Sequence, residues 1–125
     1  MRSVLTMALL LVLLVLQPSA AMAAEKIFDL QIEQRKVVRP GASVRVVKGD
    51  AVTLRWHSDE AVQLHMHGYD IQLDVAAGTP AEMRFDAKVS GRYPVTSHGF
   101  GPKHGNEHGH SHGHEALLYV EVYPE

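Results

Sequence analysis

The chain contains no cysteine. Disulfide staples are therefore excluded, and so is a lipid anchor on an N-terminal cysteine. A small exported domain of this kind must draw its stability from its own core, together with any metal that binds only the folded form. No basic stripe is present either. Lys and Arg number 12 against 14 acidic residues, which argues against a nucleic-acid partner. No apolar run approaches the roughly 20 residues that a membrane-spanning helix needs. After Ala24 no segment shows the 3.6-residue periodicity of an amphipathic helix.

The apolar run that does exist, Met7–Leu16, is ten residues long. Arg2 precedes it, Pro18 and Ser19 break it, and Ala21-Met22-Ala23 follows as a small-x-small cleavage site. This is the three-part layout of a secretory signal peptide. The expected organisation is a signal peptide over residues 1–23 and one domain over residues 24–125. The mature protein would then be exported, to a bacterial periplasm, with no stable membrane span after cleavage. The 102 residues that remain suffice for one domain and not for two.

Within that domain short apolar-polar alternations are separated by turn residues. Phe28, Leu30 and Ile32 alternate with Asp29, Gln31 and Glu33. Val52, Leu54 and Trp56 alternate with Thr53, Arg55 and His57, and Val62, Leu64 and Met66 with Gln63, His65 and His67. Further strands are expected around Val44–Val46, Ile71–Val75, Met83–Phe85, Tyr93–Ser97 and Ala116–Tyr123. Arg39-Pro40-Gly41, Lys48-Gly49-Asp50, Ser58-Asp59-Glu60, Ala77-Gly78-Thr79-Pro80 and Ser90-Gly91 supply the turns. Seven to eight short strands predict an all-β sandwich or small barrel. Pro94 lacks an N–H, so its strand must lie at an edge or carry a bulge.

Histidine is the residue in excess. Nine occur, none before His57, and six fall between His98 and His114. The neutral imidazole is a ligand for zinc, copper and nickel. His65 and His67 are two apart on an expected strand and so share a face. Leu64 and Met66 then enter the core, which makes Met66 a packing residue rather than a thioether ligand. His98 closes the Tyr93–Ser97 strand and opens a Gly/His-rich loop over residues 98–115, expected to be mobile without metal. Along it His104, His108, His110, His112 and His114 are candidate ligands, with Gly and Ser spacers that let imidazoles turn toward a shared ion. His57 reads as a surface residue. Asp70 and Asp74 lie near the His65/His67 pair, and nothing in the sequence chooses between them as an orienting carboxylate.

Several segments together resemble the cupredoxins. Val46-Val47-Lys48-Gly49-Asp50-Ala51-Val52-Thr53-Leu54-Arg55-Trp56 looks like their Lys-Gly-Asp-x-Val turn and strand. Leu64-His65-Met66-His67-Gly68 falls where a first histidine ligand is placed. Ser90-Gly91-Arg92-Tyr93-Pro94-Val95-Thr96-Ser97-His98 is similar to the Gly-x-Tyr strand leading to the Cys/His ligand loop, and Leu117–Val122 to the closing strand. The resemblance implies a Greek-key β-sandwich with a metal site at one end, and it implies copper. It departs where the chemistry is most specific. Ser97 stands where the cysteine is expected, and a serine supplies no thiolate, so blue-copper electron transfer is excluded.

The reading that follows is an exported protein that captures copper through histidine ligands and buffers it or delivers it to a periplasmic metalloprotein or metal transporter. Zinc or nickel handling by a periplasmic chaperone or sensor uses the same residues. A small copper enzyme is a third reading. It lacks a histidine at the expected mature N-terminus and has no recognisable acid–base partner. Free imidazole titrates near pH ~6.5, so ligation by histidine alone predicts an affinity that falls below about that pH.

Overall fold

The computed structural model describes residues 23–101 and 115–125. Nine strands account for nearly all of its regular structure: β1 (Glu25–Glu33), β2 (Lys36–Arg39), β3 (Ser43–Val47), β4 (Ala51–Ser58), β5 (Val62–Met66), β6 (Ile71–Val75), β7 (Ala81–Asp86), β8 (Gly91–Phe100) and β9 (Ala116–Tyr123). They form a four-stranded sheet of order β2-β1-β4-β7 and a five-stranded sheet of order β3-β9-β8-β5-β6. Both sheets are mixed, because β1 pairs parallel to β4 and β3 parallel to β9. The expected all-β sandwich is what forms. No described helix is long and apolar enough to cross a membrane. The expected signal peptide falls almost wholly outside the described residues.

The alternation read from the sequence gives each sheet one apolar face, and the two faces meet in a single core. Leu30, Ile32, Val52, Leu54, Trp56 and Met83 come from the four-stranded sheet. Val44, Val46, Leu64, Met66, Val75, Val95, Leu118, Val120 and Val122 come from the five-stranded one. Leu64, Met66 and Trp56 have no solvent exposure at all. Burial of such side chains contributes roughly 1.5–3 kcal/mol each relative to exposure.

Two strand expectations need correction. The strand count rises to nine because Lys36–Arg39 folds back on β1. The turn residues are Gln34 and Arg35, both at positive φ (50° and 66°). A two-residue turn of this hand is normally signalled by Asn-Gly or Asp-Gly, and Gln-Arg gives no such signal. In addition, β8 continues past Ser97 through His98 and Gly99 to Phe100, which pairs with Val62. The expected loop over residues 98–115 therefore begins later than its glycines suggest. Pro94 resolves in favour of a bulge, since β8 lies between β9 and β5 and its pairing with β9 shifts register between Val95 and Thr96.

Candidate metal centre

Side chains on β5 alternate across the sheet. With Leu64 and Met66 in the core, His65 is held on the outer face of the five-stranded sheet. Its strand neighbours are Thr96 on β8 and Gln72 on β6. His67 is the first residue of the β5–β6 turn, and its backbone N–H donates to the Pro94 carbonyl at 3.0 Å, which ties the turn to β8. Gly68 follows at φ +90°, where a Cβ would collide with the Tyr93 ring. Tyr69 then packs its ring 4.8 Å from both Phe85 and Tyr93. Burial, and secondarily the neighbouring Tyr69, pushes the Tyr93 phenol above its ordinary pKa. The turn carrying His67 is thus clamped from beneath by packed aromatic rings.

On β8 a second register shift brings His98 in. Leu64 pairs with Ser97, but Val62 pairs with Phe100, so β8 holds one more residue than β5 across this interval. A bulge of this kind re-aims the side chain it contains. His98 Nε2 lies 3.2 Å from His65 Nδ1, and the two ring centroids are 5.3 Å apart. The His65 and His67 rings are closer, at 4.2 Å.

The result is a three-imidazole cluster. One nitrogen from each of His65, His67 and His98 lies within 4.8 Å of the others; His65 and His67 are half-buried and His98 is exposed. Three nitrogens bound to one ion at 2.0–2.1 Å sit about 3.3–3.6 Å apart, so side-chain rotations of order 1 Å close the set. His67 Nε2 is also hydrogen-bonded to the buried Thr96 hydroxyl at 2.9 Å. His65 Nε2 lies 3.0 Å from Asp70 Oδ1. A carboxylate can only accept, so the imidazole N–H must point there.

The structure brings together three of the eight histidines expected as ligands. His104, His108, His110, His112 and His114 lie outside the described residues. Met66 is a core residue, as its alternation with Leu64 requires. His57 is exposed on β4 of the other sheet, 3.9 Å from Asp29. Ser97 takes the register of Leu64 while His98 meets His65. The cluster sits on the outer face of the five-stranded sheet beside the β5–β6 turn, the inner face being filled by Leu64, Met66 and Val95.

Two partners of the candidate ligands were not legible beforehand. Asp70 is chosen over Asp74 by the turn geometry, since Asp74 instead accepts from Gln63 at 3.1 Å. Thr96 precedes His98 by two on β8, and its place beside His65 and His67 becomes apparent only once β8 is aligned to β5.

No protein-family profile matches this chain, and no curated protein matches it in sequence. Solved structures do match in fold. The chain superposes on the multicopper oxidase mgLAC with a TM-score of 0.58 and 22% identity, over 82% of this chain and 40% of that one. A blue copper oxidase from Nitrosomonas europaea gives 0.56 and 18%, over 81% and 39%. A copper-binding protein, solved by NMR in its apo form, gives 0.55 and 7%, over 81% of this chain and 97% of that protein. The chain thus spans about two fifths of the length of these two oxidases and nearly all of the small copper-binding protein. The identities establish the fold alone, and that fold is cupredoxin-like.

Proposed function

We propose that this cupredoxin-like chain is a copper-binding protein that captures the metal through His65, His67 and His98, and buffers it or passes it to a partner. The observation that carries the reading is the convergence of three imidazoles on one sheet face in a chain without cysteine. The fold neighbours that bind or use copper add support, above all the one of matching length. Without a thiolate the site cannot be a blue-copper centre. An exposed ligand, His98, at the rim suits exchange of an ion better than permanent retention. The signal-like N-terminus and the histidine-rich segment after Phe100 fit a periplasmic collector whose loose ligands feed the defined site. The partner would be a periplasmic metalloprotein or a metal transporter. Imidazole ligation also accommodates zinc and nickel, but the order of divalent affinities favours Cu²⁺.

The test is a titration of the chain from Ala24 with Cu(I), Cu(II), Zn(II) and Ni(II) in competition with chelators. One tight copper equivalent that outcompetes zinc and nickel, and that disappears in the His65→Ala/His67→Ala protein, is the expected result. Copper binding unaffected by that double substitution would overturn the assignment. Preferential retention of zinc or nickel would replace copper with the other metal.

A further inference from the structure

We infer that Asp70 is a positioning residue that fixes the tautomer of His65, so that Nδ1 and not Nε2 of this histidine is the nitrogen offered to the metal; the inference rests on the metal-binding reading of the triad. The two ring nitrogens of His65 have different neighbours. Nε2 faces Asp70 Oδ1 at 3.0 Å and Nδ1 faces His98 Nε2 at 3.2 Å. A carboxylate has no proton to give, so Nε2 carries the hydrogen and Nδ1 keeps its lone pair. That lone pair points into the cluster. In the metal-free protein it accepts the N–H of His98 Nε2. An ion between the two nitrogens takes the place of that proton, His98 then carrying its hydrogen on Nδ1 after exchange with water, and the 3.2 Å separation already matches the roughly 3.3 Å spacing of two nitrogens on one tetrahedral ion.

Asp70 is placed for this by the β5–β6 turn. Met66 and Ile71 pair across the hairpin, and the four residues between them run from His67 to Asp70. Asp70 takes φ +53°, a left-handed conformation that Asp tolerates better than most residues. Its side chain is 90% exposed whereas that of His65 is 16% exposed. A hydrogen bond to a carboxylate so open to water contributes little to stability, so the contact is better accounted for by what it does to the ring. Carboxylates that orient ligating imidazoles typically change metal affinity by about 10–100-fold when removed.

Asp70→Gly removes the carboxylate and keeps a residue suited to positive φ. Asp70→Asn keeps both the backbone tolerance and a carbonyl acceptor. Long-range ¹⁵N NMR of the metal-free proteins reads the His65 tautomer directly, and chelator competition reads Cu(II) affinity. The expected result is Nε2–H in the wild type, a tautomer mixture in Asp70→Gly with affinity reduced about 10–100-fold, and partial recovery of both in Asp70→Asn. The Zn(II)-loaded wild type should shift Nδ1 of His65. A His65 already protonated at Nδ1 in the wild type, or an Asp70→Gly protein with unchanged tautomer and affinity, would overturn the inference. If His65→Ala leaves copper affinity intact, the metal-binding reading itself fails, whatever the tautomer proves to be.

Discussion

At the residue scale the protein separates two tasks that lie one position apart in the chain. Leu64 and Met66 fill the core while His65 and His67 meet outside it. Met66→Leu should therefore leave copper stoichiometry unchanged, and Met66→Ala should lower stability by about 2–5 kcal/mol. Denaturant unfolding and copper titration of the two variants check this; loss of copper binding in Met66→Leu would make the thioether a ligand. Alternation made this division legible in the sequence. The choice of Asp70 over Asp74 was not, because it depends on a positive φ at the end of a turn. Trp56 shows a different cost. It is fully buried, and its indole N–H has no hydrogen-bond partner among the described residues. An unsatisfied buried donor costs roughly 1–3 kcal/mol, so Trp56→Phe should destabilise less than the lost ring volume alone suggests, as measured by urea unfolding.

At the element scale the site depends on a turn and a bulge. The β5–β6 turn holds His67 and Asp70 on either side of Gly68 and Tyr69. Gly68→Ala introduces a Cβ against the Tyr93 ring at a φ that disfavours any side chain. The expected outcome is a stability loss together with a copper affinity reduced more than in Gly78→Ala, a substitution at similar positive φ but in open space. Equal effects of the two substitutions on copper affinity would mean that the turn does not position the ligands. The bulge in β8 explains why sequence patterning placed the end of that strand too early. His98-Gly99 reads as the start of a glycine-rich loop, but a one-residue register shift absorbs it into the sheet. The short β2 strand was hidden in the same way, by a Gln-Arg turn whose conformation its residue types do not announce.

At the scale of the whole molecule, two sheets share one core and the candidate metal site is an outer-face feature of one of them. Ion pairs lace the surface. The Arg35 guanidinium beside Glu60 holds that carboxyl below its ordinary range, and Arg84 and Arg55 do the same for Glu82. A carboxyl depressed in the folded state contributes stability that is present above its unfolded pKa, about 4.3, and is lost as pH falls through the folded value. Thermal melts should therefore show Tm falling as pH drops below about 4.3, with a shallower fall in Glu60→Gln. Copper should stabilise the folded chain by about 2.7 kcal/mol at a free concentration one hundred times Kd. The core, the all-β class and the three candidate ligands could be read from periodicity and histidine spacing. Their convergence could not, because it depends on aligning β5 with β8, and strands with 24 residues between them carry no local sign of that register.

Copper binding as proposed rests on one ion held by His65, His67 and His98. The most direct measurement is pulsed EPR of one Cu(II) equivalent on a chain in which His104, His108, His110, His112 and His114 are all replaced by serine. The expected result is a single copper species with three imidazole nitrogens, falling to two in the additional His98→Ala variant. A chain that loses its bound copper with the five serine replacements, or a nitrogen count that His98→Ala leaves unchanged, would contradict it.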